Sequence, residues 1–162
     1  MRITKVMCNK GNYDFIGKRS YDKIKGIVIH NTGNKGDTAI NNANYFKREN
    51  NLQRSAHFFI DRDGYIVQSV RMYRIAWSVG KPLPGVIFNN TNTVSIELCD
   101  IVDKDISEKQ LESLKWLIKK IMRKCKNART ILRHYDINHK QCPARYVDSK
   151  KWNELLRRLS DD

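Results

Sequence analysis

Four histidines and four cysteines in 162 residues are few enough to weigh one at a time. Two of the histidines, His30 and His134, close short apolar runs, IKGIVIH and ARTILRH; Cys142 follows His134 by eight residues, directly before Pro143. Two imidazoles and a thiolate are a donor set suited to zinc, and three protein ligands leave the fourth tetrahedral position for water, the arrangement of a catalytic site. The spacing is not a compact signature such as H-E-x-x-H, and a histidine at a strand end is commonly a hydrogen-bonded core residue. From the residues alone, His30, His134 and Cys142 are a candidate zinc set beside that plainer structural reading.

The elements that would carry these side chains can be read from periodicity. IKGIVIH (24 to 30) is a β-branched run between turn-forming residues, as expected of a strand covered on both faces, with His30 at its end. NTGNKGD then reads as a loop, with Asp37 or Thr38 capping a helix through Phe46 and Lys47. SAHFFIDRDGYIVQSV (55 to 70) predicts a hairpin turning at Asp63-Gly64. The asparagine- and proline-rich stretch from Lys81 to Thr93 predicts a long surface loop, and VSIELC (94 to 99) another buried strand. From Ser107, Leu111, Leu114, Ile118, Ile121 and Cys125 recur at helical spacing, opposite a basic face of Lys115, Lys119, Lys120, Arg123, Lys124 and Lys126. ARTILRH fits a strand ending in a histidine, and Trp152, Leu155, Leu156 and Leu159 form the apolar stripe of a last helix starting near Asp148. Strands interleaved with helices imply an α/β fold: a single domain over residues 1–162 with a central mixed β-sheet flanked by α-helices.

Composition narrows the partners. The formal net charge of +14 favours polyanions, and both nucleic acid and an anionic wall polymer satisfy that electrostatics. The basic residues are scattered and no nucleic-acid-binding motif is present, so nucleic acid is the weaker reading. No segment approaches the ~20 apolar residues of a membrane span, so membrane insertion is not expected. The first residues, MRITKVMCNKGNYDFIGKR, hold no apolar run of the length a secretory signal needs, so the chain is expected to be made in the cytoplasm. Cys8, Cys99, Cys125 and Cys142 would stay reduced there, as core residues or metal ligands.

IVIHNT, SAHFFIDRDG, AWSVG, NTVSIELCD and RHYDINHKQCP, in that order, resemble the landmarks of the type 2 class of N-acetylmuramoyl-L-alanine amidases, which share a fold with peptidoglycan recognition proteins and many phage endolysins. The resemblance spans about residues 24 to 158, and RHYDINHKQCP is its most specific part. It implies one zinc per chain on His30, His134 and Cys142, Glu97 as general base, and Lys140 as the cation facing the oxyanion. A salt-bridge role for Glu97 and a solvated surface role for Lys140 are the alternatives. It further implies peptidoglycan as substrate, anionic wall polymers as partners, and an endolysin-like protein acting on the wall after release through a holin. No separate wall-binding domain is expected within the chain. Ser78 stands where many relatives have a histidine, and Ala56 where some have a tyrosine. His57 is either a pocket-wall residue or a hydrogen-bonded core residue, and His139 is a weaker ligand candidate. A peptidoglycan-binding module without catalysis is the competing function.

Overall fold

The computed structural model describes residues 1 to 161, built on a six-stranded mixed sheet with helices on both faces. In chain order the elements are β1 (Ile3–Lys5), β2 (Tyr13–Asp14), β3 (Gly26–Asn31), α1 (Ala39–Arg48), β4 (Phe58–Ile60), β5 (Ile66–Gln68), β6 (Ile75–Ala76), β7 (Thr93–Leu98), α2 (Glu108–Lys124), β8 (Thr130–Arg133), α3 (His134–Asn138) and α4 (Ser149–Ser160). The sheet runs β1-β5-β4-β7-β3-β8, and β2 with β6 forms a separate antiparallel ribbon. Strands β4, β7, β3 and β8 are mutually parallel, and β5 is antiparallel to β4.

Alternation along the central strands divides the two faces. Ile27 and Ile29 of β3, with Val94, Ile96 and Leu98 of β7, face α2 and α4, where they meet Leu114, Leu117, Ile121, Trp152 and Leu155 in the main core. The other face is thinly covered. There α1 lays Ala39 and Ala43 on Phe59 and Val67, and a small cluster of Val28, Val79, Leu132 and Ile137 sits apart from it. Polar residues can therefore occupy the second face without breaking the main core.

The helix boundaries follow side-chain caps. Thr38 accepts from the amide of Asn41, Ser107 from that of Gln110, and Asp148 from that of Lys151. The hairpin is as the sequence suggests, though its paired strands are only three residues each and the connection is five residues long. Gly64 there has φ of +83°, and a Cβ would lie 2.9 Å from the Lys109 carbonyl, so both conformation and space require glycine.

Three expectations need correction. The stretch before residue 24, for which the sequence suggests no element, contributes β1 and β2, with β1 at the sheet edge. His30 is the penultimate residue of its strand rather than the last. His134 does not end β8 but opens α3, because the Arg133 amide donates to the Asp136 carboxylate at 2.7 Å and caps a short helix at that point.

Candidate active site

Register places the candidate residues side by side. In parallel pairing His30 lies directly opposite Glu97, Glu97 opposite Phe59, and Ile29 opposite Arg133, so His134 emerges level with His30. The result is a row of Glu97, His30 and His134 at the carboxyl ends of three adjacent parallel strands, the end at which open α/β sheets present ligands. The two imidazoles meet edge to face with centroids 4.8 Å apart.

Cys142 reaches this row because the segment after β8 folds back on itself. The Tyr135 amide donates to the Cys142 carbonyl at 2.9 Å, and the Arg133 guanidinium donates to the carbonyls of Tyr146 and Val147 while pairing with Asp136. Cys142 Sγ then stands 3.7 Å from His30 Nδ1, and one ligand atom from each of His30, His134 and Cys142 falls within 4.8 Å of the others. All three residues are buried.

The polar bookkeeping favours a cation here. His134 Nε2–H donates to the Val79 carbonyl at 3.1 Å, which leaves Nδ1 bare, buried and without a hydrogen-bond partner. A backbone carbonyl that fixes the tautomer in this way is the usual support for a metal-binding imidazole. His30 Nε2 is likewise buried and unpartnered. Burial, the neighbouring imidazole and the Lys140 ammonium hold His30 well below the ordinary histidine value, and burial with Lys140 lowers His134 to about 4, so both rings are neutral at pH 7, the form in which an imidazole can bind a metal. Burial, reinforced by the Glu97 charge, pushes the Cys142 thiol up to about 12, so this thiol ionises near neutrality only with a cation beside it. Zinc bonds of about 2.0 to 2.3 Å place ligand atoms about 3.5 Å apart, close to the sulfur–nitrogen distance found. The donor set fits zinc.

Val79 itself is held in place. Asn90 Oδ1 accepts from the amides of both Ser78 and Val79 at 3.0 Å, and Asn138 Nδ2 donates to the Val79 carbonyl at 2.7 Å. Sequence reading passed over Asn90 and the Val79 carbonyl. A backbone acceptor carries no residue signature, and one asparagine among several in a loop gives no signal.

Glu97 and Lys140 line the same groove of about 620 Å³, together with Thr32, Asp37, Tyr45 and Arg54. This wall is largely polar. The Glu97 carboxyl is still raised to about 7, by burial first, with Lys140 opposing and Asp37 adding to the rise. Glu97 Oε2 has no hydrogen-bond partner, and no ion pair involves Glu97 among the described residues. Lys140 is exposed at the groove.

The remaining candidates fall outside the cluster. His57 is 1% exposed, both ring nitrogens lie within bonding distance of Ser95, Arg74 or Arg19, and its pKa is lowered to about 3 by burial and then by Arg19. It is a hydrogen-bonded core residue. His139 is exposed, in the left-handed region at φ of 61°, with its ring 5.2 Å from that of Tyr135. Cys8, Cys99 and Cys125 are buried free thiols, and Ala56 packs under α1.

A family model described as N-acetylmuramoyl-L-alanine amidase matches residues 20–145. Among curated proteins, a probable N-acetylmuramoyl-L-alanine amidase of Bacillus licheniformis is 29% identical over 152 residues, covering 83% of this chain and 42% of that protein. The N-acetylmuramoyl-L-alanine amidase BlyA of Bacillus subtilis is 28% identical, over 84% of this chain and 41% of its own length. The chain thus spans about two fifths of these relatives. Among solved structures, a mutant endolysin from Bacillus subtilis superposes with a TM-score of 0.77 at 26% identity over 99% of both chains. The structure of PlyL has the same fold, with a TM-score of 0.79 at 24% identity over 99% of this chain and 98% of its own.

Proposed function

Since the chain belongs to the N-acetylmuramoyl-L-alanine amidase family, we propose that it hydrolyses the amide joining N-acetylmuramic acid to L-alanine in bacterial peptidoglycan, using one zinc ion on His30, His134 and Cys142. One observation supports this reading above the others: His134 Nδ1 and Glu97 Oε2 are buried polar atoms without partners, at the sheet end where Cys142 Sγ stands 3.7 Å from His30 Nδ1. Unsatisfied buried polar atoms cost about 1 to 3 kcal/mol each, so a fold that keeps two at this end has a use for them.

When bound, zinc supplies Lewis acidity toward the amide carbonyl and acidifies a water. Glu97 Oε2 takes the proton from the attacking water and returns it to the leaving amide nitrogen. A carboxyl poised near 7 is matched to that two-way transfer at neutral pH. The Lys140 ammonium, on the groove wall, faces the carbonyl oxygen as it gains negative charge. The groove beyond Glu97, with Asn31, Asn41, Tyr45 and Arg54, offers the amide, hydroxyl and guanidinium groups that a stem peptide requires. We read residues 1–162 as one catalytic domain whose place of action is the cell wall, with anionic wall polymers as partners.

The test is chemical. Digestion of purified walls should release new amino groups on the stem peptides without new reducing sugars. Binding to walls with no release of amino groups would overturn the amidase reading and make the chain a recognition module.

A further inference from the structure

Arg19 is a buried cation with no counter-charge among the described residues. It is 9% exposed; its Nε donates to the Met72 carbonyl and its Nη1 to the Asn90 carbonyl, both at 3.0 Å, and its Nη2 lies 3.1 Å from His57 Nε2. Two of its five N–H donors thus go to carbonyls, and among the described residues no carboxylate pairs with it. A buried charge left uncompensated is unfavourable, and an anion held in front of it relieves that penalty.

The structure has a place for such an anion. A recess of about 350 Å³ opens beside Arg19, lined by Lys18, Lys23 and Lys25 as well as Thr91 and Asn92. The three lysines are exposed and, like Arg19, form no ion pair among the described residues. The end of α2 docks alongside and extends the positive surface. Asn127 donates to the Asp22 carbonyl at 2.8 Å, the Arg129 amide to the Lys25 carbonyl at 3.2 Å, and the Lys124 ammonium lies 4.6 Å from the Tyr21 ring centre.

We propose that this basic recess seats phosphate groups of an anionic polymer of the bacterial wall, docking the protein there at a place distinct from the groove that holds Glu97. The proposal rests on the wall-directed reading above for the source of the polymer. Ammonium groups act on phosphate as point charges without demanding one geometry, which suits a flexible repeating polyanion. Single-stranded nucleic acid calls in addition for aromatic platforms on which bases stack, and the recess is lined by none.

The test compares two triple variants with the same change in net charge: Lys18→Glu, Lys23→Glu, Lys25→Glu in the recess, and Lys47→Glu, Arg48→Glu, Lys150→Glu elsewhere on the surface. Co-sedimentation is measured over a salt series with walls that carry their phosphate polymer, with walls stripped of it by acid, and with single-stranded RNA in solution. The recess variant should lose binding to intact walls, with the slope of log affinity against log salt reduced by about 2. The surface variant should stay near the parent, and stripped walls should bind all three proteins weakly and alike. Equal loss in both variants, or parent binding that survives stripping, would overturn the proposal in favour of diffuse attraction. Tighter binding to RNA than to walls, lost in the recess variant alone, would overturn it in favour of nucleic acid. Unfolding midpoints check that the variants are folded, and a Lys→Gln triple at the recess positions replaces the reversal if it is not. Release of amino groups from a soluble muropeptide reports the amidase reading separately, because that substrate has no polymer to dock.

Discussion

Replacing Glu97 with Gln keeps the side chain's shape and removes its power to accept a proton. Hydrolysis should fall by about 10²- to 10⁴-fold while zinc content and unfolding temperature stay at the parent values. Lys140→Ala should lower kcat and likewise retain zinc, since the ammonium is exposed at the groove rather than placed in the ligand cluster. Parent-rate digestion by both variants would mean that cleavage uses another site. His57 allows a different kind of test. Its imidazole takes a proton near pH 6.5 when unfolded but resists to about 3 when folded. Between those values the unfolded chain binds a proton that the folded chain refuses, so stability should decline as pH falls through that window. The slope is about 1.4 kcal/mol per pH unit for one such group. Denaturant titrations from pH 7 to 4 should show His57→Gln losing that part of the slope, and an unchanged slope would remove His57 as its source.

The loop between β6 and β7 supports His134 from behind. Asn90 Oδ1 holds the amides of Ser78 and Val79, and the Val79 carbonyl holds His134. Asn90→Ala should therefore weaken zinc affinity by about 10- to 100-fold, the range seen when support behind a metal ligand is removed. Competition with a chromophoric chelator measures it, and parent affinity would show that the loop is held by other contacts. Little of this support was legible in the sequence. Long periodic elements were readable, since α2 and α4 each bury one face and start at side-chain caps. So were β3, apolar from Ile27 to Ile29, and β7, where Val94, Ile96 and Leu98 face the main core and alternate with Thr93, Ser95 and Glu97 on the thinly covered face. Strand β1 was not, because three residues at a sheet edge show no alternation and pair only where β5 presents itself. Nor does one sequence reveal register: the ligand candidates can be named, but that His30 lies opposite Glu97 depends on how two distant strands align.

At the scale of the whole molecule the composition announced a polyanion without saying where it would sit. Attraction between exposed lysines and wall phosphates is screened beyond about 8 Å at physiological ionic strength, so wall binding should weaken steeply with salt while turnover of a small soluble muropeptide changes less. Matching salt profiles for the two substrates would count against a docking role for the charge. The row of Glu97, His30 and His134 has a consequence for how the molecule matures. Its members sit on parallel neighbours, which no hairpin can join, and 66 residues of chain lie between His30 and Glu97. Those long loops must close before the row exists, so no half-folded form of the chain can assemble the pocket. Capture of metal during refolding should thus wait for the slowest pairing of the sheet, and a zinc-sensitive dye would time the completion of the fold itself.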